Sequence, residues 1–259
     1  IGTTAYFAPY NANAIGVFDT AANDSQGEFS TITLDDAMHN KYKFDGCVAL
    51  GSKVYFTPSC SHEILVLDTT APAGQPQLAT ISTGMSIPLK FSGSSVVGTK
   101  IVFPPFVADC IGILDTAANA GAGAFSTFSL QGIVDGGRMF SGSTVVGNKV
   151  YFAPCNAVVV GVFDIEANEG EGAFKTISLD GETNGTICKF TDAVAFRDKV
   201  YFIPRSGFKV GVVHTRANEG AGTFTLLNDK VYTLLSGAVV VKNKIYVSPD
   251  NSTSMGILE

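Results

Sequence analysis

The sequence has 259 residues, of which 46% are hydrophobic, so the chain can fill a large core. Its formal net charge of −6 argues against binding to nucleic acid, because surfaces that bind nucleic acid are normally basic. No apolar stretch approaches the roughly 18–20 residues of a membrane span, so we predict no spanning segment. The 28 glycines and the lack of tryptophan favour a β-rich chain with many tight turns.

One short apolar segment recurs along the whole chain and predicts a β-strand each time. Its six repeats read AYFAP, VYFTP, IVFPP, VYFAP, VYFIP and IYVSP, and they begin at Ala5, Val54, Ile101, Val150, Val200 and Ile245. The starts differ by 49, 47, 49, 50 and 45 residues. A period of this size fits four short strands and their turns, as in the blade of a β-propeller.

Three further strands are predicted around this segment, which we call strand B. Strand C ends fourteen residues after each start, at Asp19, Asp68, Asp115, Asp164, His214 and Glu259. Strand D begins at Phe29, Leu78, Phe125, Phe174 and Phe224, and strand A, of the type SSVVG, precedes strand B in every repeat after the first. All of these segments are short, rich in β-branched or aromatic residues and bounded by turns.

The turns repeat as well. Strands A and B are joined by GSK, GTK, GNK, RDK or KNK, which predicts a tight hairpin in which Gly or Asn adopts a positive φ. Strands C and D are joined by turns rich in Asn and Gly, such as DTAANAGAGAF, and the second repeat, with Pro72, diverges most. We expect the repeated Asp of these turns to accept backbone N–H bonds within its own turn rather than to bind calcium.

This order of strands resembles that of kelch-type β-propellers. The shared features are an apolar strand that ends in glycine, a hairpin to a VYF strand, a VxVxD strand and a fourth strand led by an aromatic residue. The family's paired glycines after strand B are replaced here by FAP or FTP, and its tryptophan by phenylalanine or leucine. The resemblance implies a binding scaffold in most cases and an enzyme in some.

The predicted strands number 22, which gives six four-stranded antiparallel blades with an incomplete first and last blade. The first blade lacks strand A and the last lacks strand D, so we expect further residues outside this sequence to supply them. A five-bladed ring is the alternative. In either case residues 1–259 are predicted to form a single β-propeller domain.

The connections divide into two sets by their variability. Because antiparallel neighbours alternate in direction, the A–B and C–D turns share one rim, and the B–C and D–A loops share the other. The first set hardly changes between repeats, whereas the second set differs in every blade. Divergence confined to one rim predicts the recognition face. The candidate binding residues on this rim are Cys60, His62, Glu63, Asp109, Cys110, Cys155, Asn156, Arg205 and Asp250 in B–C loops, with Asp135, Arg138 and Asp180 in D–A loops.

A basic residue stands shortly before strand A in four repeats, at Lys43, Lys90, Arg138 and Lys189. Since strand A conventionally lines the tunnel of a propeller, these side chains are candidates for a basic ring at the tunnel mouth that attracts an anion or an acidic partner. The alternative is that they pair with carboxylates or solvate the edge of a blade.

Neither a cofactor nor a metal is predicted. Cys60, His62 and Glu63, with Cys110 or Cys155, carry ligand atoms, but their spacings match no zinc pattern. The five cysteines contain no Cys-x-x-Cys pair, and their odd number argues against a complete disulfide framework, so we expect free thiols and leave the compartment open. With only three histidines, a histidine-based catalytic triad is not expected, and no catalytic residue is predicted.

Three functions follow in order of preference. The first is a non-catalytic propeller that binds a protein partner or joins a larger assembly through the variable rim. The second is a lectin-like module that binds glycans, which would need aromatic side chains at equivalent rim positions. The third is an enzyme, which would need polar groups with perturbed pKa values at the tunnel mouth.

Overall fold

The computed structural model describes residues 1–35, 41–71, 77–134, 136–179, 187–205, 208–217, 221–232, 235–250 and 255–258. These residues are almost entirely strand and turn, with short helical turns at Ala22–Ser25, Asn119–Gly121 and Asn168–Gly170. Each helical turn lies between strands C and D. Within the described ranges, no helix has the length and apolar character needed to cross a membrane.

Twenty-two strands in the described residues form six sheets, in which strands that follow one another in the chain are hydrogen-bonded neighbours. The first three sheets contain β1 (Thr4–Phe7), β2 (Ala14–Asp19) and β3 (Glu28–Thr33); β4 (Phe44–Leu50), β5 (Lys53–Pro58), β6 (Glu63–Asp68) and β7 (Gln77–Ser82); and β8 (Ser95–Val97), β9 (Lys100–Phe103), β10 (Cys110–Asp115) and β11 (Ala124–Ser129). The last three contain β12 (Phe140–Val146), β13 (Lys149–Pro154), β14 (Val159–Asp164) and β15 (Ala173–Ser178); β16 (Phe190–Phe196), β17 (Lys199–Pro204), β18 (Phe208–His214) and β19 (Thr223–Tyr232); and β20 (Leu235–Val241), β21 (Lys244–Pro249) and β22 (Gly256–Leu258).

The fold is an all-β propeller of six antiparallel blades, as the sequence predicts, rather than one of five. Four blades have four strands, and in the described residues the first and last have three. One element differs from the prediction. Strand β19 continues to Tyr232, because Val231 and Tyr232 pair with Lys209 and Phe208 after an irregularity in the register, so part of the predicted D–A loop is strand.

The chain divides into two compact units. The first unit comprises Ile1–Phe103 and Ile111–Thr127, and the second comprises Pro104–Cys110 and Phe128–Glu259. The core of the first unit includes Ile15, Phe44, Phe56 and Leu65. The core of the second unit includes Tyr151, Val160, Phe190 and Phe202, with a smaller cluster around Ile203 and Ile245.

A cluster of three phenylalanine rings holds strands A, B and D together in each of blades 3, 4 and 5. In blade 4 the ring centroids of Phe140, Phe152 and Phe174 are 5.5, 6.2 and 6.5 Å apart. Gly161 in strand C makes room for them, since a Cβ atom there would lie 2.9 Å from Phe152 and 3.0 Å from Phe174. Blade 2 is packed differently. Leu65, which pairs with Thr80, replaces the glycine of strand C, and Leu78 replaces the phenylalanine of strand D.

The A–B hairpins adopt the predicted positive φ at their first turn residue. Gly51, Gly98 and Gly147 have φ of 62°, 58° and 63°, a region that glycine enters at little cost. In the last two hairpins the same conformation is imposed on Arg197 at 59° and Lys242 at 57°. These two residues are therefore strained relative to glycine.

Candidate functional site

The B–C loop of blade 4 is fixed by the backbone of the D–A segments on either side of it. The amide of Cys155 donates to the carbonyl oxygen of Met139 at 2.8 Å, and the amide of Asn156 donates to that of Arg138 at 2.9 Å. On the other side, the amide of Lys189 donates to the carbonyl oxygen of Cys155 at 3.0 Å. In this part of the second unit the B–C and D–A loops therefore lie together.

The first unit shows the same pattern around blade 2. The amide of Ser59 donates to the carbonyl oxygen of Lys43 at 2.9 Å, and that of Cys60 donates to Tyr42 at 2.8 Å. The amide of Lys90 then donates to the carbonyl oxygen of Ser59 at 3.1 Å. The residue before strand A is thus hydrogen-bonded to the B–C loop of the preceding blade, as Lys90 is to Ser59, and to the B–C loop of its own blade, as Lys43 is to Ser59.

Three of the four predicted basic residues are buried at this linking position. Lys43, Lys90 and Lys189 are 2%, 0% and 1% exposed. The Nζ atom of Lys90 donates to the carbonyl oxygens of Ser59 at 3.0 Å and Ser61 at 2.7 Å, and that of Lys189 donates to the carbonyl oxygen of Asn156 at 3.2 Å. Burial lowers the pKa of all three ammonium groups. Lys90 and Lys189 thus satisfy main-chain carbonyl groups in loops of the preceding blade, while Nζ of Lys43 donates to the side-chain oxygen Oδ1 of Asn13 at 3.5 Å.

Arg138 does not share this position. Met139 occupies it in blade 4 and is buried, while Arg138 is exposed one residue earlier with a φ of 57°. The reason is visible in the sequence once strand A is aligned on its phenylalanine, since Lys43, Lys90 and Lys189 directly precede that residue and Arg138 does not. Attraction of an anion by these four residues stays a prediction.

The other candidate residues of the rim are distributed over both units. In the first unit, His62 is exposed and its carbonyl oxygen accepts bonds from Thr83, while Glu63 begins β6. In the second unit, Asp109, Arg205 and Asp250 are exposed. Cys110 is buried, and burial, with the carboxylate of Asp109, raises its pKa to about 11. Asp135 and Asp180 lie outside the described residues, and binding by any of these positions remains a prediction.

Three exposed aliphatic side chains lie in D–A and B–C loops of the second unit. Ile133, Val158 and Ile187 are 53%, 66% and 74% exposed. Val158 follows Asn156 by two residues, and Ile187 directly precedes Cys188, whose amide donates to Oδ1 of Asn156 at 3.0 Å. The two side chains are therefore carried by loops that are hydrogen-bonded to each other.

Asp192 is a residue that the sequence prediction missed. It lies in β16, two residues after Phe190, and the equivalent residue at the start of strand A is glycine in the other repeats, at Gly46, Gly93, Gly142 and Gly237. The carboxylate accepts hydrogen bonds from the amides of Ala193 and Ala238, and desolvation raises its pKa to about 6 despite these bonds. In the sequence, Asp192 can be recognised because it is the one acidic residue at a position that is glycine in the other repeats.

Across the described ranges, no three His, Cys, Asp or Glu side chains converge as they would around a metal ion. The repeated Asp of the C–D turn accepts a bond from a backbone amide of its own turn, as expected. These bonds join Asp19 to Ala21, Asp68 to Thr70, Asp115 to Ala117 and Asp164 to Glu166, at 3.0, 2.9, 3.0 and 3.3 Å.

Comparison with known proteins identifies the fold of this chain but does not assign it to a family. No family profile and no curated protein sequence matches the chain. The structure is similar to streptogramin B lyase, with a TM-score of 0.69 and 14% identity over 99% of this chain and 79% of the other. It is also similar to a catalytically inactive virginiamycin B lyase from Staphylococcus aureus with quinupristin, with a TM-score of 0.66 and 15% identity over 96% and 75%.

A third similar structure comes from a complex of two proteins. It is the nidogen/laminin complex, with a TM-score of 0.60 and 12% identity over 98% of this chain and 88% of the other. At these identities the similarity shows the six-bladed propeller fold alone. The propellers found are of other types than kelch.

Proposed function

We propose that this chain is a non-catalytic binding propeller that recognises a protein partner, or a larger assembly, through its B–C and D–A loops. The observation that carries the proposal is the exposure of Ile133, Val158 and Ile187 in such loops of the second unit. Val158 and Ile187 are carried by loops that are hydrogen-bonded to each other, and apolar side chains that share an exposed patch mark interaction sites.

The fixed backbone favours binding. Loops that become ordered only on association lose conformational entropy, which lowers the affinity. Here the amides of Cys155, Asn156 and Lys189 already hold the loops in the free protein. Full burial of each aliphatic side chain would contribute about 1.5–3 kcal/mol before the cost of association.

The charged side chains of these loops indicate what kind of surface the partner would present. Arg138 and Arg205 are exposed in the same set of loops. Arginine is enriched in protein interfaces, where it pairs with carboxylates around an apolar centre. Since Asp109 and Asp250 are exposed in the same set of loops, we expect a protein surface with an apolar centre and side chains of both charges around it.

The test is a binding measurement with a matched control. A partner is captured from intact native material with the wild-type chain, purified and titrated calorimetrically against Val158→Asp, Ile187→Asp and the control Leu227→Asp, an exposed residue of β19 outside the rim loops. The two rim variants should weaken binding at least about tenfold, that is by about 1.4 kcal/mol or more, and the control should not. Equal affinity of all four proteins, or a chain that always purifies alone, contradicts the proposal, and binding on a glycan array would favour the lectin-like alternative.

A second candidate function, that of a propeller enzyme, is favoured by Asp192. A carboxyl group with a pKa of about 6 is suited to accept a proton near neutral pH. Two of the similar structures are named as lyases, one of them solved with quinupristin. Incubation of the chain with quinupristin, followed by chromatography and mass spectrometry, tests this candidate. Conversion that is lost in Asp192→Asn supports it, whereas no conversion, or equal conversion by the variant, contradicts it.

A further inference from the structure

Two cysteines of the second unit, Cys155 and Cys188, lie in neighbouring rim loops that are hydrogen-bonded to each other. Cys188 contributes to the raised pKa of Cys155, whose Sγ atom donates to Oδ1 of Asn156 at 3.9 Å. Two hydrogen bonds join the loops beside these cysteines. The Lys189 amide donates to the Cys155 carbonyl oxygen at 3.0 Å, and the Cys188 amide donates to Oδ1 of Asn156 at 3.0 Å.

A disulfide requires two Cα atoms about 4.4–6.8 Å apart and Cβ atoms that face each other. Here the residue that follows Cys188 is hydrogen-bonded to Cys155, and the residue that follows Cys155 is hydrogen-bonded to Cys188. Because these bonds already hold the two loops side by side, a disulfide between them does not require the loops to be brought together.

The two thiols differ in their access to solvent. Cys188 is partly exposed, whereas Cys155 is buried. The pKa of Cys155 is raised to about 12, chiefly by burial and also by the neighbouring Cys188, while the cationic Arg205 and Lys189 act in the opposite direction. An oxidant from solution therefore meets Cys188 first, and Cys155 is placed to react with the product.

We propose that Cys155 and Cys188 form an oxidisable dithiol site that closes to an intramolecular disulfide in the presence of a hydroperoxide. In the first step the sulfur of Cys188 attacks the peroxide, whose O–O bond breaks, which gives the sulfenic acid of Cys188 and an alcohol or water. In the second step the sulfur of Cys155 attacks the sulfenic sulfur and displaces water. The two thiols together lose two electrons and the hydroperoxide gains them.

The other three cysteines provide an internal comparison. The thiol of Cys47 donates to the carbonyl oxygen of Tyr6 at 3.5 Å, and burial raises its pKa to about 11. Cys110 is buried beside Asp109, and Cys60 lies near Lys90. The site thus consists of two of the five cysteines, and it does not depend on whether the rim binds a protein.

The experiment counts thiols and maps the link. The reduced chain is treated with hydrogen peroxide, denatured, alkylated with N-ethylmaleimide and digested with trypsin. We expect two of the five thiols to escape alkylation. We also expect residues 150–175 to be linked to residues 176–189, and dithiothreitol to reverse the link. The variant Cys155→Ser should lose the link and leave a sulfenic acid at Cys188 that dimedone traps, while Cys110→Ser should keep the link.

Three results would overturn the proposal. The first is alkylation of all five thiols after oxidation of the wild-type chain. The second is a link that joins a different pair of cysteines or two chains. The third is persistence of the same link in Cys155→Ser. The wild-type measurement alone decides the first two, so the proposal stays testable if a variant fails to fold.

Discussion

The side chain of Asp192 in β16 occupies space that the absence of a side chain at Gly142 in β12 leaves open. A Cβ atom at position 142 would lie 2.6 Å from Oδ1 of Asp192 and 2.8 Å from its Cα atom. The neighbouring strands A of blades 4 and 5 therefore approach closely at this point. Gly237 in β20 lies on the other side, where a Cβ atom would be 3.4 Å from Oδ2. Desolvation of the carboxylate follows from this close packing.

The first prediction concerns the pH dependence of stability. The folded chain raises the pKa of Asp192 from an ordinary 3.8 to about 6. The folded state therefore holds this proton more tightly than the unfolded state, and the free energy of unfolding should fall as the pH rises from about 4 to 6. Above that interval the loss is complete and amounts to at most about 3 kcal/mol. Asp192→Asn keeps an oxygen that accepts a hydrogen bond and removes the charge.

Urea unfolding at pH 4 and at pH 7.5 measures this difference. At pH 7.5 the variant Asp192→Asn should be more stable than the wild type by about 1–3 kcal/mol, and the gap should shrink at pH 4. The control Glu28→Gln changes an exposed carboxylate and should show no such pH-dependent gap. If the difference in unfolding free energy between Asp192→Asn and the wild type is the same at both pH values, the raised pKa does not belong to Asp192.

The second prediction concerns the buried lysines. Lys90→Ala removes the donor to the carbonyl oxygens of Ser59 and Ser61 and also the packed aliphatic stem. We expect a loss of about 2–4 kcal/mol in the free energy of unfolding. Lys90→Met keeps the stem and copies Met139, the residue at the same position of blade 4, so its loss should be about half as large.

Urea denaturation of these variants is compared with Lys175→Ala, which removes an exposed lysine. That control should change stability by no more than about 0.5 kcal/mol. If Lys90→Ala behaves like the control, the ammonium group does not hold the loop. If Lys90→Met is as destabilised as Lys90→Ala, the hydrogen bonds rather than the stem account for the whole effect.

The third prediction concerns the glycine beneath the phenylalanine rings. Gly161→Ala places a Cβ atom against Phe152 and Phe174 and should cost about 1–3 kcal/mol through overpacking. Blade 2, with Leu65 and Leu78, shows that a larger residue in strand C is compatible with leucine in strand D. We therefore expect Phe174→Leu to reduce the cost of Gly161→Ala.

A double-mutant cycle measures this coupling from the unfolding free energies of the wild type, both single variants and the double variant. An interaction energy of at least about 0.5 kcal/mol in the favourable direction supports the packing argument. Strict additivity of the two changes would count against it.

The fourth prediction exchanges residues between two hairpins. Lys242 has a φ of 57° and Gly147, its counterpart in blade 4, has a φ of 63°. Lys242→Gly should stabilise the chain by up to about 1 kcal/mol, because glycine adopts this conformation without a steric penalty. Gly147→Lys should have the opposite effect of similar size. Thermal or urea unfolding of both variants tests this pair, and destabilisation by Lys242→Gly would contradict it.

The sequence predicted the strands well because each strand is a local pattern that occurs several times. Pro58, Pro154 and Pro204, for example, each end strand B two residues after the same VYF segment. The end of β19 was predicted poorly, because its pairing with Phe208 and Lys209 follows an irregularity that no repeated pattern marks.

The site was less predictable because it depends on contacts between segments about thirty residues apart. Nothing near Lys90 in the sequence shows that the carbonyl groups of Ser59 and Ser61 will surround its ammonium group. A lysine beside a phenylalanine would ordinarily extend into solvent. The hydrogen bond from the Cys188 amide to Asn156, the residue beside Cys155, is equally nonlocal. Asp192, in contrast, could have been found by aligning the five strands A on their first residue.

The B–C loops have a property that matters beyond this protein. Ser59 and Cys155 are anchored by their main-chain amides and carbonyl oxygens, which every residue except proline can supply. The loops of blades 2 and 4 are therefore anchored by equivalent main-chain bonds although their side chains differ. The propeller is in this sense a display framework, on which the exposed side chains of His62 and Val158, at the fourth position of each loop, can be varied without removing these bonds.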